Sequence, residues 1–527
     1  MKLKLYTLAG AAAVMASMAV TADVIPTDQS SSTWFTDAES RLSAKLNPSL
    51  SNTAKNVILF VGDGMGVSTL TASRIYQGQL EGNDGEEGYL YFEEFPFTAL
   101  VKTYNVDAQT PDSAGTMTAM MTGAKTDVGV IGVDEDIERG NCSTVAGNEL
   151  TTALELAEIK GLSTGVVTTA RITHATPAAT YAKSADRNWE DISDMPAAAV
   201  DAGCVDIADQ LVNFETYLEG RFPGVDVNGI EVAMGGGRRH FLPNDAAFNS
   251  PDAVSSTEGD RNDGRDLTAE WQAAYPNGEY VFDQAGFDAI DTENTERVLG
   301  LFNESHMQYE ADRGNDIAGE PSIAEMTTAA INILDNNDQG YFLMVESGRI
   351  DHAHHAGTAA GALTDTVAFT DAVKAAYEAT NPNDTLILVT ADHSHVFTLA
   401  GYPKRGNPIL GLVVPVGSND PALAADGLPY TTVGYTNGLG FRDLGNETDA
   451  DASYAAAPLS GRVDLTTVDT TAPGFHQETL VPLSSETHAG EDISLHATGP
   501  GSHLAQGVVE QNLVFHIINE VLSLIEG

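Results

Sequence analysis

Asp351 and His355 stand four residues apart, a spacing that lets both side chains share one face of a helical turn. Asp392 and His393 are adjacent, so only a strand end or tight turn can aim both at one point. Asp63 sits in the run Gly62-Asp63-Gly64-Met65-Gly66, where missing side chains let the backbone approach a bulky ligand. Carboxylates and imidazoles are the ligands of hard and borderline divalent cations. Two such cations can clamp the entering and leaving oxygens of an in-line displacement. Ser113 precedes an apolar run, 117–121, that reads as a helix. A serine hydroxyl at a helix N-terminus meets free N–H groups and a dipole that favour phosphate, but it needs a base or a metal to become nucleophilic. Each feature also has a plain reading. A lone Asp-His pair is usually a surface hydrogen bond, and Asp112 or Ser113 could simply cap a helix. Repetition at the ends of separate predicted strands decides for chemistry.

Those strands are apolar, glycine-stopped runs of the kind buried on both faces of a parallel sheet. Residues 56–61 lead to Asp63, and 165–169 lead to Arg171 and His174. Residues 341–345 lead to Glu346, Asp351 and His355, and 385–390 lead to Asp392 and His393. Helical patterns at 148–160, 322–334 and 364–378 separate them, which predicts an α/β fold with helices on both sheet faces. The polar residues gather at the strands' carboxyl ends, where open α/β sheets bind ligands. Residues 244–320 and 400–485 read as insertions, the second mostly β or irregular. The spacing predicts amphipathic helices over 36–46 and 507–525.

Composition narrows the partners. The 527 residues carry 75 acidic and 26 basic side chains, a formal charge of −49, with pI near 4.3. No basic run exists to neutralise phosphates, which excludes nucleic-acid and anionic-membrane binding. A 42% hydrophobic content argues against disorder as the source of this acidity. Self-repulsion on this scale suits a saline habitat, where salt screens charge within a few ångströms. Lys2 and Lys4, an apolar stretch over 5–20 and Val20-Thr21-Ala22 predict a signal peptide over 1–22 and a periplasmic or secreted protein without a membrane span. Export permits a disulfide between Cys142 and Cys204, the alternative being two unrelated buried thiols.

Thr110-Pro111-Asp112-Ser113-Ala114-Gly115-Thr116 resembles the nucleophile signature of alkaline phosphatases. The resemblance extends to 61–66, to 168–177, to Ala185-Asp186-Arg187-Asn188-Trp189 and to 235–238. It continues through 346–355, 391–395 and Glu486-Thr487-His488-Ala489-Gly490. Thr110 and Met117 depart from the family pattern, and neither would donate a functional atom. The resemblance implies a three-layer, mostly parallel sheet, with a catalytic domain over 23–399 and 486–527 and a crown-like insertion over 400–485. It implies phosphate-monoester hydrolysis through a phosphoserine on Ser113, and a homodimer. One zinc would be held by Asp351, His355 and His488, and a second by Asp63, Asp392 and His393 with the Ser113 oxygen. Asp63, Thr176 and Glu346 would hold magnesium. Arg187 would clamp the phosphate, with His174 beside it, and Cys142 and Cys204 would form a disulfide. His240, His306, His476, His496 and His516 are expected to be structural. His352, His354, His395 and His503 lie near the implied ligands. A phosphodiesterase would lack the Thr176, Glu346 and Arg187 set, and a cation-buffering surface protein would scatter its carboxylates.

Overall fold

A computed structural model describes residues 25–45, 51–443 and 461–525. The signal peptide expected over 1–22 lies outside the described residues, among which no helix is long and apolar enough to cross a membrane. Ten strands form the main sheet: β1 (Asn56–Gly62), β2 (Phe97–Lys102), β3 (Ser163–Arg171), β4 (Val232–Gly236), β5 (Glu279–Val281), β6 (Val298–Leu301), β7 (Tyr341–Ser347), β8 (Thr385–Ala391), β9 (Ile493–Thr498) and β10 (Gly507–Glu510). Their spatial order is β10-β2-β9-β8-β1-β7-β3-β4-β6-β5. Every neighbouring pair is parallel except those made by β9, which runs against both β2 and β8.

The four strands expected from apolar runs are β1, β3, β7 and β8, and they are adjacent at the sheet centre. Val57 to Val61 are wholly buried, as a strand covered by helices on both faces requires. Helix Ile323–Leu334 starts at a capping box. Ser322 Oγ accepts from Glu325 N–H at 3.2 Å, and Glu325 Oε2 accepts from Ser322 N–H at 2.7 Å. Helix Ala359–Ala379 is capped by Thr358 and so begins five residues before the expected 364. Helix Ala153–Lys160 begins after its own capping box at Thr152, which leaves 148–152 as loop.

Two expectations need correction. Residues 507–525 are not one helix: Gly507–Glu510 pairs with β2, and the helix is Leu513–Leu522. Val509 packs inward while Val508 faces out, the alternation of a strand. Residues 244–320 are not wholly an insertion either, since they supply β5 and β6 at the sheet edge. Beyond β8 the chain builds a small three-stranded sheet from Phe397–Leu399, Val433–Gly438 and Thr479–Pro482. Cys142 and Cys204 form a disulfide across a Cα–Cα distance of 5.8 Å.

Candidate active site

The parallel core delivers its polar residues to one edge. Asp63 and Asp392 follow β1 and β8, Glu346 lies near the end of β7, and Asp351 and His355 ride the next helix, Arg349–Ala356. The turn after β3 carries His174 and Thr176. Ser113 opens helix Ser113–Thr122, whose cap Asp112 accepts from Gly115 N–H at 3.1 Å. Ser113 Oγ lies 3.1 Å from His393 Nε2, which is 3.2 Å from Asp392 Oδ2 and 3.4 Å from Asp63 Oδ1.

His355 and His488 show how the imidazoles are set. Each Nδ1–H donates to a main-chain carbonyl, of Glu486 at 2.7 Å and of Pro111 at 2.8 Å. A carbonyl only accepts, so the proton is on Nδ1 and Nε2 carries a lone pair. The two Nε2 atoms face each other at 3.0 Å, and Asp351 Oδ1 stands 3.3 and 3.4 Å from them. Three electron-rich atoms around one point repel unless a cation lies among them.

The Asp63 end makes the same demand more strongly. Both carboxylate oxygens of Asp63, Oγ1 of Thr176, Oε1 of Glu346 and Nδ1 of His174 are buried without a hydrogen-bond partner among the described residues. Such atoms cost about 1–3 kcal/mol each when left unpaired. The donor set is oxygen-rich around Thr176 and Glu346, as magnesium prefers, and mixed nitrogen and oxygen around His393 and His355, as zinc prefers. These residues therefore fit divalent cations.

Arg187 is aimed by a second use of Asp112. Asp112 Oδ2 accepts from Arg187 Nη1 at 3.1 Å and from Gly129 N–H at 3.0 Å, while Arg187 Nη2 lies 3.2 Å from His174 Nε2. The guanidinium thus stands beside the helix N-terminus that carries Ser113.

Comparison with known proteins settles what this constellation belongs to. Residues 54–524 match the family model described as alkaline phosphatase. The tissue-nonspecific alkaline phosphatase of Gallus gallus is 43% identical over 88% of this chain and 84% of its own length. The alkaline phosphatase of Gadus morhua is 41% identical over 88% and 91%. The chain belongs to the alkaline phosphatase family. It is a metal-dependent hydrolase of phosphate monoesters. Among solved structures, the Thermus thermophilus alkaline phosphatase is similar, with a TM-score of 0.61 at 25% identity over 90% of this chain and 92% of that one. The enzyme from the Antarctic bacterium TAB5 shares the fold, with a TM-score of 0.57 at 22% identity over 90% and 99%.

The electrostatics of this phosphatase follow from packing carboxylates together out of water. Burial holds the Asp63 carboxyl well above its usual range, and Asp392, Asp351 and Glu346 add to it. Burial likewise pushes Glu346 up to about 8. His393 is held well below the usual histidine range by burial and His488, and His355 is pushed down to about 4, chiefly by burial. These imidazoles are neutral, as metal ligands must be. Burial would raise Asp112, but Arg187 and the N–H groups of Gly115 and Gly129 together outweigh it and hold the carboxyl below its usual range.

All eleven residues that the resemblance implies for metal, nucleophile and phosphate come to this one edge. Three further residues gain a role only from the structure. His395 Nε2 is 2.7 Å from Asp351 Oδ1 and its Nδ1 is 2.6 Å from Glu486 Oε2, so a carboxylate–imidazole chain holds Asp351 in place. Burial opposes a charged His395, yet Glu486 and Asp351 push it up to about 10. Thr168 Oγ1 donates to Glu346 Oε2 and fixes which Glu346 oxygen remains free. His395 and Glu486 both sit in motifs already singled out, but 91 residues separate them.

Proposed function

We propose that Ser113 is the nucleophile of a two-zinc, one-magnesium centre and that catalysis passes through a phosphoserine. Asp351, His355 and His488 hold one zinc. Asp63, Asp392 and His393 hold the second, beside Ser113, and Asp63, Thr176 and Glu346 hold magnesium. The observation that carries this reading is the ring of buried, unpartnered oxygens and lone-pair nitrogens around the Ser113 hydroxyl. When bound, the cations withdraw charge from the serine and leaving-group oxygens.

The chain's own groups supply the rest. Ser113 Oγ forms a bond to phosphorus as the ester P–O bond breaks, and the alcohol leaves with the proton that Ser113 gives up. Water oxygen then bonds to phosphorus as the Ser113 O–P bond breaks, one of its protons returns to Ser113, and phosphate is released. Arg187 receives two non-bridging oxygens with its fork, and Asp112 keeps that fork turned inward. Free N–H groups in the first turn of helix Ser113–Thr122 face the same charge. His174, neutral because burial, Arg187 and Arg171 push it down to about 3, borders the phosphate and magnesium positions.

Export to the periplasm or medium, a homodimer, the 400–485 crown and a saline habitat complete the proposal. They are supported respectively by the 1–22 signal pattern, the family, the position of the segment after β8, and the charge of −49. The test is phosphate labelling at low pH. The metal-loaded parent should retain covalent phosphate stoichiometrically, whereas Ser113→Ala should retain none, lose at least about a thousand-fold in kcat, and keep its metals. Labelled Ser113→Ala would end the assignment.

A further inference from the structure

A second group of ligand-type side chains lies outside the serine centre. Glu190, Asp191 and Asp194 occupy the loop after Trp189, and His240 lies in the single 3-10 turn Arg238–Phe241. Asp260 is tied to that turn by its N–H, which donates to the Arg239 carbonyl at 3.0 Å. His240 is only 4% exposed. Its Nδ1 is 2.6 Å from Asp191 Oδ2 and 3.9 Å from Asp194 Oδ2, and ligand atoms of Asp191, His240 and Asp260 all lie within 4.8 Å of one another. On the other side of the ring, Nε2 is buried without a hydrogen bond and faces Glu190 Oε2 at 3.3 Å.

Neither nearby arginine pairs with Asp191 or Asp194. Arg171 forks onto Glu190 at 2.6 and 2.8 Å, and Arg239 Nε reaches Asp260 Oδ2 only at 3.5 Å. Asp191 and Asp194 therefore converge on a single imidazole. Without an ion, Asp191 Oδ2 accepts from His240 Nδ1–H; an ion in the space the three aspartates share takes the place of that proton, and the ring then carries its proton on Nε2, toward Glu190. A carboxylate behind one ring nitrogen and a cation before the other is the usual setting of a metal-bound histidine.

We propose that His240, Asp191, Asp194 and Asp260 form a further divalent-cation site, separate from the serine centre. One imidazole with three carboxylates suits zinc or manganese better than calcium or magnesium, which take all-oxygen sets. The ion would clip the 189–195 loop to the 238–261 segment. Glu190, behind the ring, also accepts from Thr173 Oγ1 at 2.6 Å, in the turn that carries His174. The clip thereby backs one wall of the active site without touching substrate.

The test counts metals in the holoenzyme. Parent, His240→Asn and Asp194→Asn are equilibrated with buffered free zinc plus magnesium, and bound metals are measured by plasma mass spectrometry. Crystals of the parent are examined for anomalous scattering at the zinc edge. The expected result is one zinc fewer per chain in both variants, an unchanged kcat, and an anomalous peak beside His240 Nδ1 in the parent. Equal zinc counts in all three proteins, or no peak at His240 in zinc-saturated crystals, overturns the site. Should His240→Asn fail to fold, Asp194→Asn decides alone, because its side chain is 39% exposed.

Discussion

Arg261 and Asp63 are both ionisable and both buried, and they differ in what surrounds them. Arg261 gives its guanidinium to Asp206 at 2.9 and 3.1 Å and to Asp263 at 2.7 and 3.3 Å, with one more donation to the His240 carbonyl. Nearby Arg238 is held by Glu258, by Asp252 at 2.8 Å and by the carbonyls of Leu301 and Phe282. Asp63 instead has no hydrogen-bond partner at either oxygen among the described residues and faces three more carboxyl groups. Where charge holds the fold together, the chain brings both signs. At the carboxyl edge of the sheet it brings mostly one sign and leaves the other to ions, so the fold there depends on ligation.

Removing the metals tests that contrast most severely. Chelation should abolish activity and lower the melting temperature sharply, because Asp63, Glu346, Asp351 and Asp392 are then buried together without a cation and must either take up protons or repel one another. Asp63→Asn should reverse its effect with the metals. It removes one buried acid from the cluster, with its cost of protonation or repulsion, and stabilises the chelated protein by about 1–3 kcal/mol, but it destabilises the loaded protein by losing a proposed ligand. Calorimetry in chelator and in zinc plus magnesium reads both signs. The same sign in both conditions would place Asp63 in an ordinary structural role.

The arginine network should behave oppositely. Arg238→Met leaves Glu258 and Asp252 buried without their cation and should cost about 3–5 kcal/mol in denaturant unfolding. The bound catalytic metals per folded chain should not change. Loss of metal at the serine centre in the folded variant would show that the two regions are not separable.

Much of this was legible in the sequence, and the misses share a cause. β1, β3, β7 and β8 stand out because a strand buried on both faces is apolar without interruption. β5 and β6 did not, since Glu279–Val281 and Val298–Leu301 are too short to show a period. Val508 and Val509 fit a helical apolar face and a strand equally well, and only pairing with β2 decides between them. The proposed ligands were readable as candidates because Asp351 and His355, or Asp392 and His393, are close in the chain. Asp112 with Arg187 and His395 with Glu486 are contacts between distant segments, and periodicity carries no trace of those.

A smaller effect comes from the opposite end of β3, where Glu158 accepts from Thr164 Oγ1 near the start of the strand. Burial, with Glu231 adding to it, raises Glu158 from 4.5 to about 8. An acid whose folded value is raised stabilises the fold fully below its unfolded value, and that stability fades as pH climbs through the folded one. Metal-saturated parent should therefore lose stability between about pH 5 and 8, and Glu158→Gln should lose less over the same interval. Parallel slopes for the two proteins would mean that Glu158 is already ionised in the fold. This acid pair, unlike the cluster proposed to hold metals at the active edge, relieves its repulsion with a proton.

The gentlest lever acts on the surface, where neither arginines nor metals answer the excess of acid. With 75 acidic against 26 basic residues, most exposed carboxylates have no partner, and exposed pairs contribute only about 0–1 kcal/mol in any case. At low ionic strength the Debye length spans many neighbouring carboxylates, and their repulsion opposes the compact state. In molar salt it shrinks to about 3 Å and the repulsion is screened. The melting temperature of the metal-saturated protein should rise by several degrees as NaCl goes from about 0.05 M into the molar range. KCl should act alike at equal ionic strength, because screening does not distinguish the two cations. The rise should survive in Arg238→Met, since buried pairs are shielded from bulk ions. A melting temperature that is flat or falling over this range would show that the acidity serves solubility alone, and would remove the argument for a saline habitat.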